Sequence, residues 1–170
     1  MALNFNHNYD RALEQQFGFK IEKFNANESR FHAIYFVDSL TGAVLVSKKY
    51  SDNTKISETN EDLISSFLNA MNMFIKEIKN DDKEEIQEIN FKDSRILYDQ
   101  KGRLMCIGIS KKTNLQIERG IMREILNDFY TRFESQINHF RGVIDPGMLD
   151  YKRQLEKLNL NSLFKFKVNM

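Results

Sequence analysis

A single cysteine, Cys106, is all the thiol chemistry the 170 residues contain. No internal disulfide can form, which points to a reducing compartment and a cytoplasmic setting, although the same count suits an extracellular protein without bridges. One proline and seven glycines leave no material for Pro/Gly-rich linkers or a loop-dominated scaffold. Nowhere do about 18 apolar residues run together, and the opening MALNFNHNYD has no apolar core behind a basic start, so neither a membrane span nor a signal peptide is expected. Charge of one sign is also missing. Lys plus Arg number 25 against 24 Asp plus Glu, a net charge of +1, far from the basic excess that phosphate binding usually leaves, which disfavours nucleic acid as the main partner. What is present, 41% hydrophobic and 29% charged residues, suits one compact domain. A chain of this size removes roughly 70% of its extended surface from water, enough core to need no metal or bridge.

Read in order, residues 31–38 (FHAIYFVD) and 43–50 (AVLVSKKY) are β-branched and aromatic runs around a turn containing Gly42, a β-hairpin pattern. Phe31, Ala33, Tyr35 and Val37 fall on one face of the first run, with His32, Ile34 and Phe36 on the other. Both faces are largely apolar, so the strand belongs inside its sheet. Thr59 and Asp62 resemble a capping box, and Leu63, Ile64, Phe67, Leu68, Met71, Phe74, Ile75 and Ile78 then recur at helical spacing, an arc of roughly 140° expected to lie on the sheet. Beside it runs a second stripe, Ser66, Ala70, Met73 and Glu77. Its small residues would let another helix approach closely, although a merely wide core face explains the same pattern.

Beyond a charged loop at 80–85, three strands follow: Ile86 to Phe91, the RILYD run from Arg95, and Leu104 to Ile109, the last two joined by a turn ending in Gly102. Asn114 is placed to cap a long helix carrying Ile117, Ile121, Ile125, Phe129, Phe133 and Ile137 and stopping near Gly142. Asp145 and Pro146 open a shorter helix with Met148, Tyr151, Leu155 and Leu158. Residues 1–29 form an extension whose Leu13, Phe17, Ile21 and Phe24 fit a short helix, although Phe17, Phe19 and Ile21 also alternate like a strand, and 159–170 form a tail, with an edge strand or a docking peptide as alternatives.

Chemistry-bearing patterns are scarce. No phosphate-binding glycine loop is present, since Gly42 and Gly102 sit in hairpin turns. His7, His32 and His139 lack ligand partners at metal spacing, and the acidic group Asp81, Asp82, Glu84, Glu85 and Glu88 lacks the alternation and glycine of a calcium loop. Cys106 facing His32 across the sheet would make a nucleophile and base, but a small core side chain is the simpler reading. No catalytic set, metal or cofactor is expected. Charge is unevenly spread: from Asp93 onward 14 basic residues face 9 acidic ones, whereas Thr59 to Lys92 holds 4 against 8. Lys111, Lys112, Arg119 and Arg123 gather at the start of the long helix, either as a solvated face or as a basic patch for an acidic protein or anionic membrane surface.

The order hairpin, helix, three antiparallel strands, long helix and short helix, with the LYD and LMCIGIS pair leading into the long helix, resembles the longin domain of the roadblock/longin superfamily, as in archaeal longin-like proteins, adaptor small chains and tethering-complex subunits. The resemblance covers residues 30–158. It implies a profilin-like α/β/α sandwich: a five-stranded antiparallel sheet, the first two strands in the middle, one helix on one face and two on the other. It further implies a non-catalytic platform, pairing as a homodimer or with another longin or roadblock chain, and regulating or scaffolding a small GTPase or a vesicle-trafficking complex. Carried onto this chain, the pairing surface is Ser66, Ala70, Met73 and Glu77 with Ile86, Glu88, Ile89 and Phe91, the strand lying at a sheet edge. Two features depart from the longin pattern. The extension before the hairpin is more like the roadblock branch, and the lack of a long heptad helix or anchor argues against a vesicle-fusion protein. Two other readings stay open: a small-molecule sensor or acyltransferase-like enzyme on a related α+β fold, and a subunit of a hetero-oligomeric coat or tether.

Overall fold

The computed structural model describes residues 29–50, 61–79 and 86–158. The expected short helix before the hairpin, Thr59, the acidic loop at 80–85 and the tail at 159–170 lie outside the described residues. Five strands form one antiparallel sheet: β1 (Phe31–Asp38), β2 (Val44–Lys49), β3 (Glu88–Asn90), β4 (Arg95–Lys101) and β5 (Leu104–Ser110). Among the described residues three helices accompany them: α1 (Glu61–Lys79), α2 (Leu115–Asn138) and α3 (Pro146–Leu158).

The spatial order is β2-β1-β5-β4-β3. The centre is β5, buried at every residue, and β2 is an edge strand rather than one of the middle pair. The reason lies in composition: β5 (LMCIGIS) carries no charge, whereas β2 ends in Lys48 and Lys49, which an edge accommodates and a twice-covered strand does not.

The two faces hold separate cores. On one, Ala33, Tyr35, Val37, Met105, Ile107 and Ile109 meet Leu68 of α1, with Ile64, Ile89 and Ile96 packed around them. On the other, Ile34, Phe36, Leu97, Leu104 and Cys106 meet Ile121, Ile125 and Phe129 of α2 and Met148, Tyr151 and Leu155 of α3. Phe36 stacks on Phe129 at 4.4 Å, and Tyr151 stands edge-on to Phe129 at 4.9 Å. Phe31 departs from the simple alternation. The β1–β5 register slips between Phe31 and Ala33, and this irregularity turns Phe31 onto the α2 face with Ile34 and Phe36. The layering is therefore α/β/α, one helix against two.

Local signals explain the helix ends. Asn114 is extended and its side chain accepts the Ile117 N–H at 3.1 Å. Asp145 Oδ1 accepts the Gly147 N–H at 2.7 Å ahead of α3. The long helix stops at Asn138, four residues before Gly142, after a non-helical φ/ψ at Phe133. Gly142 (φ +97°) serves the following turn instead. Gly108 answers a packing need, because a Cβ there would sit 2.7 Å from Met122 Sδ and 3.0 Å from Phe31 Cε1. Only a bare backbone lets α2 lie this close to the sheet.

The two hairpin ends are clamped to each other and to the end of α2. Asp38, fully buried, accepts from Thr41 N–H (2.9 Å), from the Thr41 hydroxyl (2.5 Å) and from Arg103 Nε and Nη2. Arg103 also donates to the Phe140 carbonyl at 2.8 Å, just past the helix end. The carboxyl of Asp38 is held low: burial pushes it up, and the bonds from Arg103 and Thr41 outweigh that.

Candidate partner-docking surface

Only part of the apolar arc of α1 reaches the sheet. At roughly 100° per residue, Met71, Ile64 and Leu68 span about 60° of the helix circumference; Leu68 is fully buried, Ile64 packs against the same core and Met71 is half-buried. Leu63, Phe67 and Phe74 fall on the next 40° and point away. Their exposures are 64%, 54% and 60%, and Met73 is 65% exposed. The expectation that Leu63, Phe67 and Phe74 lie on the sheet is thus corrected. A flat sheet touches only a narrow strip of a cylinder, and this helix is apolar over more than that strip.

The proposed stripe occupies the adjoining sector. Ser66, Ala70, Met73 and Glu77 are all exposed. The outward face therefore carries four large apolar side chains around two small ones. At roughly 200 Å² per large side chain, about 500 Å² of apolar surface is left in water. The largest apolar patch on a typical monomer is about 300–600 Å² and is often functional, and this patch falls in that range.

A second open surface is the edge strand β3, which ends the sheet on the side away from β2. Its register with β4 is Glu88↔Leu97, Ile89↔Ile96, Asn90↔Arg95. Tyr98 N–H donates to the Gln87 carbonyl and Phe91 N–H to the Ser94 carbonyl, so Gln87, Ile89 and Phe91 turn their backbone groups to β4. By alternation, Glu88 and Asn90 turn theirs to the open edge. Ile89 sits half-buried on the α1 face, and Phe91 at the strand end is 52% exposed. The strand is three residues long where six were expected, and Ile86 lies outside it, half-buried.

The basic group at the start of α2 is joined to this edge rather than separate from it. Arg119 donates to Glu88 at 2.6 Å, and Arg123 lies 3.9 Å from Asp99. Lys112 Nζ donates to the Phe91 carbonyl. Lys111 is half-buried, and its charge, after burial itself, lowers the pKa of His32. The Glu88 carboxyl is lowered by its bond from Asn90 and then by Arg119. Between helix and strands is an open cleft of about 120 Å³, lined by Ile86, Gln87, Leu97, Tyr98, Asp99, Arg119, Met122 and Arg123.

Beneath this corner lies a feature that sequence reasoning missed. Glu118, fully buried, accepts Thr113 N–H at 2.7 Å and the Thr113 hydroxyl at 2.8 Å, and Arg95 Nε stands 3.3 Å from its other oxygen. A carboxylate one turn inside a capped helix start, with Thr just ahead of the cap, was the available signal.

Cys106 has Phe36 and Asp99 as cross-strand neighbours, while His32 lies four residues from Phe36, so the two do not meet. The thiol is fully buried and pushed well up by that burial. Among the described residues no group of three or more His, Cys, Asp or Glu is arranged to hold a metal, and no helix is long and apolar enough to cross a membrane.

No family model and no curated protein matches the chain. Among solved structures it is similar to Myxococcus xanthus MglB, at 15% identity and TM-score 0.49 over 79% of this chain and 99% of that one. It is also similar to a chain in a homology model of the full-length AP-3 complex in a stretched open conformation, at 14% identity and TM-score 0.42, over 76% of this chain and 78% of that one. At such identity and overlap neither hands a role to this chain.

Proposed function

We propose that the chain is a non-catalytic interaction module that pairs with a second copy through the outward face of α1 and the open edge of β3. The observation that carries this is a pair of open surfaces, an apolar helix face and a free strand edge. About 500 Å² of apolar helix faces water, and the backbone groups of Glu88 and Asn90 in β3 find no partner strand among the described residues. A standard interface takes about 800 Å² from each partner, which the α1 stripe together with Ile89, Phe91 and the strand edge approaches. The second service of the module, binding a small GTPase or a trafficking-type assembly, is what the longin resemblance implies, and α2 and α3 leave it the opposite flank.

Sedimentation velocity across the micromolar range tests the pairing. The wild type is expected to shift from one chain mass to two, while Met73→Glu and Phe67→Glu stay at one chain mass with unchanged helical content. Both residues are exposed, so loss of pairing without loss of fold is the specific outcome. A wild type that stays monomeric throughout sinks the homodimer. If such a monomer then forms a stoichiometric pair with a second longin-type chain, the coat or tether reading replaces it. Titration against GTPases from the same genome, loaded with GDP or a GTP analogue, tests the second service. Nucleotide-dependent binding is expected, and no binding in either state removes it.

A further inference from the structure

We infer that Met73 is a site of reversible oxidation, and that hydrogen peroxide, by turning its thioether into a sulfoxide, releases the second copy from the outward face of α1. This rests on the pairing proposed above and adds its regulation. Among the described residues the sulfur-bearing side chains are Met71, Met73, Met105, Cys106, Met122 and Met148. Met105 lies in the core against α1, and Met122 and Met148 in the core beneath α2 and α3, each no more than 1% exposed. A close-packed interior leaves few voids for a peroxide molecule to enter. Cys106 is fully buried, and burial keeps its thiol protonated, without the thiolate that oxidants attack. Met71 is half-buried beside Leu68. Met73 alone of this set stands in water, 65% exposed. It lies about 140° around α1 from Leu68, the residue the helix buries in the sheet, with exposed Ala70 and Glu77 one turn to either side. Burial therefore singles out one sulfur, and that sulfur belongs to the proposed contact face.

The chemistry needs peroxide and no group from the protein. A lone pair on the Met73 sulfur attacks one oxygen of hydrogen peroxide, and the O–O bond breaks as the S–O bond forms. The departing hydroxide takes the proton of the transferred hydroxyl and leaves as water. Sulfur gives up two electrons, which reduce the peroxide. A flexible apolar side chain thereby becomes a polar one carrying a strong acceptor. The large side chains exposed on the same helix, Leu63, Phe67 and Phe74, offer that acceptor no donor. In a two-fold pair the substitution enters once from each copy. Burying an unpaired polar group twice should weaken association about a hundredfold. The coupling is reciprocal, because a copy that covers Met73 also shields it. Oxidation falls on unpaired copies and holds them apart.

Peroxide treatment of the full chain, followed by peptide mapping and sedimentation velocity, tests this. Oxygen uptake at Met73 is expected ahead of Met105, Met122 and Met148, and slower as chain concentration rises through the association range. The oxidised protein should associate about a hundredfold more weakly with unchanged helical content, and methionine sulfoxide reductases with dithiothreitol should restore pairing. Met73→Leu keeps the apolar bulk and should pair as the wild type does, indifferent to peroxide. Full oxidation of Met73 with unaltered association overturns the inference while the dimer stands. So does a Met73→Leu dimer that peroxide still dissociates, or a Met73 that takes up oxygen no faster than the buried methionines. A wild type that is monomeric before any oxidant overturns the pairing itself, so the two failures are separable.

Discussion

Replacing Arg103 with Ala probes the clamp that fixes the hairpin ends to α2. Arg103 supplies two of the four bonds to the fully buried Asp38 carboxylate and caps the Phe140 carbonyl. Its removal leaves a buried charge held by Thr41 alone. Breaking a buried pair by removing one partner costs about 3–5 kcal/mol. The Arg103 side chain is 19% exposed, so water can partly take its place and the lower end, about 3 kcal/mol, applies. Urea unfolding followed by circular dichroism at neutral pH measures this. In a double-mutant cycle, Asp38→Asn should make Arg103→Ala cheaper, because no charge is then stranded. The same pair sets an acid limit. The folded Asp38 pKa lies below the unfolded value of about 3.9, so its contribution is complete above that pH and is lost as pH falls through the folded pKa. In Arg103→Ala, burial is no longer outweighed, and acid unfolding should begin at a higher pH. A cost under about 1 kcal/mol, strict additivity with Asp38→Asn or an unmoved acid midpoint would refute the reasoning.

Other substitutions test separate links. Gly108→Ala forces a methyl against Met122 Sδ and Phe31, and overpacking of this kind costs about 1–3 kcal/mol. A smaller penalty in a Met122→Ala background would identify the contact responsible. Asn114→Ala removes the bond to the Ile117 N–H and should lower the thermal midpoint by an amount worth about 1 kcal/mol, recovered by Asn114→Asp. Phe67→Ser, at a site 54% exposed, should leave urea stability of the dilute monomer within about 0.5 kcal/mol of wild type while raising solubility.

The layered fold was legible because its signals are local and periodic. The uncharged LMCIGIS run could only be an inner strand, Asn114 and Asp145 announced their helices, and the Ile121, Ile125, Phe129 spacing named the face α2 buries. Strand order was harder. That β2 lies at the edge depends on which neighbours β1 chooses, and alternation within a strand carries no such information. Phe31 shows the same limit, since one slip of register reverses the face of a residue that alternation alone assigns elsewhere. At the docking surface, the stripe of Ser66, Ala70 and Met73 could be read as outward, but Leu63, Phe67 and Phe74 could not. Periodicity shows that a helix is apolar over a wide arc and not how much of the arc a sheet will cover. Likewise Arg119 and Arg123 looked like a free pair of cations because their partners, Glu88 and Asp99, arrive from strands distant in sequence.

The claim on which the account depends is that the outward face of α1 and the open edge of β3 are where a second copy sits. Amide hydrogen exchange, followed residue by residue as the protein is diluted through its association range, addresses it directly. Slowed exchange at Glu88 and Asn90, fading on dilution together with protection along α1, is the predicted result. Concentration-dependent protection on α2 and α3 instead, with the β3 edge exchanging freely throughout, would contradict it.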